Sequence, residues 1–207
     1  MPNPDLLLYT VHYTCWTVFG ITLLVLRIKY GRENKSVGRS FQGRQEPVAK
    51  EAHTARHSRA LVAFHGVAFF VMYFGMALAV FGRRVPIWFD GQRVVGTVVI
   101  AIGWILGMSA MFYFRSWRFR ATLDQGHQLA TGGPFRLVRH PIYMALTMLA
   151  LGTAIWAPTP ILWIAFLLMA IGSDLRARAE ERILEDAFGE QYRDYCRRTS
   201  RFLPYVY

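Results

Sequence analysis

Apolar and polar positions fall in long blocks along this chain. Leu6–Leu26, Ala60–Phe81 and Val94–Phe114 contain no Asp, Glu, Lys or Arg. Each is close to the roughly 20 helical residues needed to cross about 30 Å of hydrocarbon. A fourth apolar block, Ile142 to Ile171, is too long for one crossing and carries Ala157-Pro158-Thr159-Pro160 in its middle. Proline inside a helix costs about 3 kcal/mol, so this block predicts two helices joined by a tight turn, a hairpin that reaches the far face and returns. After Ser173 the period changes: Leu175, Ala179, Ile183, Ala187 and Phe188 recur at helical spacing among charges, as in an amphipathic helix. Gly189 interrupts it, and Phe202-Leu203-Pro204 reads as a non-helical cap. Backbone groups in lipid must be satisfied within their own segment, so the spans are helices. The expectation is an all-α integral membrane protein with about five transmembrane helices, the last two a hairpin, plus a C-terminal amphipathic helix on the cytoplasmic side.

Composition agrees and removes alternatives. The 207 residues fit one domain, divided by pattern into a three-helix part, 1–114, with a polar loop at 27–59, and a second part, 115–207. The chain is 54% hydrophobic and 18% charged, against about a quarter charged in soluble domains, which excludes intrinsic disorder. Cys15 and Cys196 are the only cysteines, which excludes a disulfide-stapled fold. The net charge of +11 comes with 21 Arg and three Lys. Nine Lys/Arg lie in 27–59, five Arg in 115–140, and seven Arg against seven acidic residues follow Ser173. The opposite side has Met1–Asp5 and the uncharged hairpin tip, with Arg83, Arg84 and Arg93 departing from the pattern. The positive-inside tendency then places the N-terminus outside and the tail in the cytoplasm. Topology thus accounts for the charge without nucleic acid, and the Arg-rich usage points to a GC-rich bacterium, whose inner membrane is the expected location. Met1-Pro2-Asn3-Pro4-Asp5 lacks the basic start of a secretory signal. The two cysteines fall on opposite sides, so no disulfide is expected.

A few polar residues are out of place. His12 and His65 sit inside apolar helices, where ionisable residues lean toward function, although a neutral histidine bonded to a neighbouring helix is the commoner case. Gly103 and Gly107, four apart, make a small-residue packing face. Residues 127–143 combine the turn-forming Gly132-Gly133-Pro134, the cations Arg136 and Arg139, and His140 directly before Pro141. A helix start beside His and Arg suits a carboxylate or phosphate; it equally suits a basic loop with a helix cap. In the tail Arg176 and Glu180 are one turn apart, either a surface ion pair worth a few tenths of a kcal/mol or a pair that holds an anion and a cation.

Three pieces, in this order, resemble the isoprenylcysteine carboxyl methyltransferase family of integral membrane enzymes, especially its small bacterial members. They are His127-x-Leu-x-Thr-Gly-Gly-Pro-Phe leading into Arg139-His140-Pro141-x-Tyr143, then Arg176-x-x-x-Glu180-Glu181-x-x-Leu184, then Phe188-Gly189-x-x-Tyr192-x-x-Tyr195 followed by Leu203-Pro204. They cover about the C-terminal 90 residues; the N-terminal half matches only in being helical and apolar. The resemblance implies methyl transfer from S-adenosylmethionine, leaving S-adenosylhomocysteine, with no metal. It implies a donor pocket of His127, Gln128, Leu129, Ala130, Phe135, His140, Pro141, Ile142, Tyr143 and Glu180, with Arg176 facing the acceptor. Arg176, Glu180 and His140 would then be the catalytic set. Phe135 stands where the family usually has tyrosine, and Met144-Ala145 replaces a common glycine-containing step.

The chemistry is compatible. The donor carries a sulfonium and an ammonium, which suit Glu180, and a carboxylate, which suits His140 and helix-start amides. Placing an already activated methyl group at attack distance can supply about 7–11 kcal/mol. A carboxylate acceptor needs no base, and Arg176 could fork onto it; an amine, thiol or phenol would call on Glu180, Glu181 or His140 for a proton. The expected partner is a hydrophobic, lipid-like acceptor arriving from the bilayer, with membrane lipids around the chain and no obligate protein partner evident. Rival readings are a phospholipid-type N-methyltransferase, S- or O-methylation of a small thiol or phenol, an NADPH-dependent membrane sterol or enone reductase, and a non-catalytic scaffold. The reductases share Arg-His-Pro-x-Tyr but typically have Asn before the tyrosine and Gly-Glu after it, where this chain has Ile142 and Met144-Ala145-Leu146.

Overall fold

The computed structural model describes residues 4–40, 49–82, 85–113 and 129–204. Among them the elements are α1 (Pro4–Ser40), α2 (Ala49–Phe81), α3 (Gln92–Tyr113), a single 3₁₀ turn (Gly133–Arg136), α4 (Pro141–Trp156), α5 (Pro160–Phe188) and α6 (Glu190–Arg198). Four of the described helices are long and apolar enough to cross a bilayer, over Tyr9–Leu26, Ala60–Ala79, Gln92–Tyr113 and Pro160–Phe188. The fifth expected span, α4, has 16 residues, about 24 Å at 1.5 Å per residue. Its shortness fits its place at the centre: nine of its residues, among them Ala145, Leu149 and Trp156, are buried, so it leans on protein rather than on lipid. The polar region at 27–59 is mostly helix, as α1 continues to Ser40 and α2 begins at Ala49.

Small residues set the packing. A Cβ on Gly103 would lie 2.8 Å from Met148 Cβ, and one on Gly96 would lie 2.7 Å from Trp156 Cβ. On Gly107 it would run into the Phe19 ring and lie 2.9 Å from Ala145 Cβ. α3 and α4 therefore approach almost backbone to backbone, with α1 closing on the same seam. Trp16 on α1 donates through Nε1 to Thr153 Oγ1 at 3.0 Å, and Thr153 donates back to the Leu149 carbonyl at 2.8 Å. α5 lies along α4, and α2 covers α5 through the close approach of Gly75 to Ile161 and Leu162. Trp16, Phe19, Met72, Leu149, Leu162 and Met169 form the core.

The outer faces carry Phe70, Phe74 and Leu78 on α2, Val98, Ile102 and Ile105 on α3, and Ile164, Leu167 and Ile171 on α5, all exposed. A soluble monomer rarely shows such stripes; in a bilayer they face hydrocarbon.

The hairpin tip forms as expected, with Thr159 at the N-cap position of α5 ahead of Pro160. Gln92 pins the 85–91 segment to it, donating to the Pro86 carbonyl at 2.9 Å and accepting from the Trp88 amide at 2.7 Å, while Trp88 stacks on Trp163 at 6.1 Å. The other end of α3 and α4 holds the glycine turn and the tail. One difference from the sequence expectation concerns α5, which runs unbroken from the hairpin tip to Phe188. The amphipathic stretch from Asp174 is therefore the continuation of the membrane helix, and the separate short tail helix is α6, set off by Gly189 at φ 51°. Cys15 and Cys196 are free thiols.

Candidate functional site

The glycine turn determines how the loop enters the site. Gly133 has φ 56°, and Tyr113 at the end of α3 occupies the space a Cβ would need on either Gly132 or Gly133. The 3₁₀ turn then folds Phe135 inward, where it is buried beside the Tyr113 ring at 6.3 Å. Tyr195 on α6 donates to the Phe135 carbonyl at 2.7 Å, and burial holds that hydroxyl protonated well above the usual phenol range.

Residues 138–140 pair with the end of the described chain. Val138 and Ser200 make a parallel bridge, the Arg139 amide donates to the Ser200 carbonyl at 2.8 Å, and the His140 amide donates to the Arg201 carbonyl at 3.2 Å. Side chains lock the same seam. Arg139 Nε reaches Glu181 Oε1 at 3.0 Å, Arg201 reaches Glu181 Oε2 at 2.6 Å and Asp174 at 3.4 Å, and Arg139 also donates to the carbonyls of Cys196 and Thr199.

His140 occupies the N-cap position of α4 and is buried, with Nε2 3.4 Å from Glu181 Oε1 and Nδ1 3.8 Å from Glu180 Oε2. Its ring stacks on Tyr143 at 5.7 Å with 22° between planes and lies 6.1 Å from Phe202. Tyr143 donates to Glu180 Oε1, Arg176 reaches the same oxygen at 3.5 Å, and the guanidinium lies 5.2 Å over the Tyr143 ring. His140, Tyr143, Arg176 and Glu180 thus meet at one end of the α4–α5 pair. Pro141 and Ile142 form the first turn above them, where the leading amides lack intrahelical acceptors. Leu129 and Ala130 are half-buried just before the glycine turn. His127 and Gln128 lie outside the described residues.

The two adjacent glutamates differ. Glu181 has both oxygens taken by arginines and is 15% exposed, whereas Glu180 is 43% exposed and turns Oε2 toward His140. A proton acceptor or cation ligand must have a free lone pair, so Glu180 is equipped for that work and Glu181 for holding the seam. Sequence reasoning grouped Glu181 with the possible bases and missed Arg201 and Asp174 as its framework. Nothing in their spacing marks them, since they meet only through the tertiary fold. Among the described residues no group of three or more His, Cys, Asp or Glu side chains is gathered as a metal would require.

Several known proteins are similar to this chain in sequence. A family model described as phospholipid methyltransferase matches residues 92–191, which spans α3, the turn, α4, α5 and the start of α6. The chain is 36% identical over 163 residues to the cobalt-zinc-cadmium resistance protein CzcN of Cupriavidus metallidurans, covering 74% of this chain and 71% of that protein. It is 31% identical over 116 residues to a probable protein-S-isoprenylcysteine O-methyltransferase of Oryza sativa subsp. indica, covering 54% of this chain and 61% of that one. With the methanethiol S-methyltransferase of Mycobacterium tuberculosis it shares 38% over 96 residues, 44% of this chain and 36% of that one. Against the latter two the chain spans less than two thirds of the relative's length. On its 36% identity over 71% of CzcN the chain belongs to the same family as that protein, and its α3–α6 half matches the phospholipid methyltransferase family model.

Proposed function

We propose that this chain transfers the methyl group of S-adenosylmethionine to a hydrophobic, lipid-like acceptor, a carboxylate in the first place. The observation that carries the reading is the meeting of His140, Tyr143, Glu180 and Arg176 around one point, with Glu180 Oε2 open and His140 buried beside it. That donor set fits the nucleoside: a carboxylate for its cationic groups, and an imidazole with first-turn amides for its carboxylate. When bound, it supplies a methyl group already activated on sulfonium. Leu129, Ala130, Phe135, Pro141, Ile142 and Tyr143 form the wall against the adenosine side, with His127 and Gln128 assigned to the same wall by the family pattern.

Arg176 takes the acceptor. Its guanidinium lies 5.2 Å over the Tyr143 ring and 3.5 Å from Glu180, which leaves other donors of the fork for a carboxylate. A carboxylate is already nucleophilic, so the site has only to orient it and keep water away. The exposed apolar faces of α2, α3 and α5 deliver a lipid-like molecule sideways from the bilayer. The distribution of basic residues supports an orientation with the N-terminus outside and the tail in the cytoplasm of a bacterial inner membrane, on the side where the donor is found.

The test uses the full chain in lipid nanodiscs. Calorimetric titration with S-adenosylhomocysteine should show saturable binding. Methyl-labelled donor should label at least one of N-acetyl-S-farnesylcysteine, palmitic acid, dodecanethiol or phosphatidylethanolamine, the farnesylated carboxylate most strongly. Absence of binding together with no labelled product would overturn the reading, and oxidation of NADPH by the same sample would favour the reductases. Preferential labelling of dodecanethiol would keep the transfer but move the acceptor to a thiol, as the name of the mycobacterial relative says of that protein.

A further inference from the structure

His65 lies in the middle of α2, in the half of the chain that carries none of the family motifs, and is 4% exposed. An imidazole buried within an apolar span is costly unless its neighbours use it. Its neighbours here belong to the site. Nε2 is 3.4 Å from Ser173 Oγ on α5, and the ring lies 6.0 Å from that of Tyr143. Gly172 makes the approach possible, since a Cβ there would come within 3.1 Å of the His65 ring and 2.9 Å of Phe64. Ser173 precedes Arg176 by three residues and Glu180 by seven, so all three share one face of α5.

The Tyr143 ring is thus bordered by three side chains. His140 stacks on it from the loop, Arg176 lies over it from α5, and His65 stands against it from α2. His140 and Glu181 are fixed independently of α2 by Arg139 and Arg201. Among the described residues Arg176 has no such second anchor from the loop; its place depends on the ring beneath it and on Glu180.

We propose that His65, held by Ser173, is a positioning residue that fixes the Tyr143 ring and through it the Arg176 guanidinium, so that the acceptor's polar end is presented correctly for methyl transfer. The inference rests on the function proposed above. It makes α2 a working part of the site.

The experiment compares the wild type with H65L, H65Q, H65N, S173A and the H65L/S173A double variant, each as full chain in nanodiscs. The readouts are steady-state rates on whichever of the four acceptors the wild type turns over fastest, and calorimetric affinity for S-adenosylhomocysteine. Replacing both partners of a buried hydrogen bond with apolar groups is close to neutral for stability, so a purely structural pair predicts wild-type kinetics in the double variant. The expected result is a fall of about fivefold to tenfold in acceptor kcat/KM for H65L, the size of one net hydrogen bond. Affinity for S-adenosylhomocysteine should stay within about twofold. S173A should match H65L, and the double variant should be no worse than either. H65Q, whose amide reaches the position of Nε2, should recover most of the rate, and H65N should not. If H65L does not fold, S173A alone carries the same expectation. Wild-type acceptor kinetics in S173A and H65L, or parallel loss of donor affinity and rate, overturns the proposal while leaving the proposed function intact. A wild type that neither binds S-adenosylhomocysteine nor labels any acceptor defeats the proposed function itself.

Discussion

At Glu181 both carboxylate oxygens are occupied, by Arg139 at 3.0 Å and Arg201 at 2.6 Å, while the preceding Glu180 keeps Oε2 turned toward His140 and remains 43% exposed. The same substitution should therefore have opposite signatures at the two positions. Glu180→Gln removes a negative charge from the open site and should weaken S-adenosylhomocysteine binding about tenfold, with little change in melting temperature; calorimetry and thermal melts of the same sample separate the two. Glu181→Gln leaves the partly buried Arg139 guanidinium without its counter-charge and Arg201 with Asp174 alone at 3.4 Å, and should cost about 2 kcal/mol of stability, read as a lower denaturant midpoint. Arg176→Lys keeps the positive charge but loses the planar fork. It should raise the KM for the acceptor severalfold and spare donor affinity, as measured by initial rates and titration. A common loss of donor binding in Glu180→Gln and Arg176→Lys would contradict the division of labour between them.

The helices themselves were legible because a bilayer imposes a length of about 20 apolar residues, and Leu6–Leu26, Ala60–Phe81 and Val94–Phe114 have it. Gly103 and Gly107 were legible as a packing face for a local reason: four-residue spacing puts both on one side of α3. The join within α5 was not. Its residues turn from apolar to charged near Asp174, which reads as the end of a span, yet the backbone continues to Phe188 because nothing there breaks a helix until Gly189. The Glu181 clamp was hidden for another reason. Arg139, Glu181 and Arg201 lie 42 and 20 residues apart, and each alone looks like an ordinary surface charge. His65 was visible as anomalous, but its partner Ser173 was indistinguishable from any small residue on an apolar helix. Two substitutions test the packing of these elements. Gly107→Leu forces a side chain into the Phe19 and Ala145 contacts and should cost several kcal/mol or prevent folding, seen as loss of a monodisperse peak in detergent. Tyr195→Phe removes one hydrogen bond to the Phe135 carbonyl and should cost about 1 kcal/mol, with α6 more readily cut by protease.

The molecule as a whole joins two ends of the chain's second half around one site: the loop at 129–140 and the segment at 199–202 are stitched by backbone and side chain alike. Deleting residues 199–207 should therefore abolish S-adenosylhomocysteine binding while the helical circular dichroism persists, a separation that simple unfolding would not give. The Cys196 thiol tests the proposed arrangement across the bilayer. Burial pushes the Cys196 thiol above its usual range, so a membrane-impermeant maleimide should label it slowly at neutral pH and faster as the pH rises past 9. On the proposed orientation that labelling should occur from the cytoplasmic face of oriented vesicles only, and labelling from the outer face would reverse it.

The unbroken course of α5 has a mechanical corollary. Its 29 residues make a stiff rod about 43 Å long, wedged at Pro160 against the tip of the hairpin and carrying Ser173, Arg176, Glu180 and Glu181 further along the same axis. A helix meeting a bilayer thinner or thicker than its apolar stretch adjusts by leaning, and a rod with no joint passes that lean on undiminished. Lipid chain length thus becomes a dial on catalytic geometry, and reconstitution across acyl chains of increasing length should trace an optimum in turnover at constant protein.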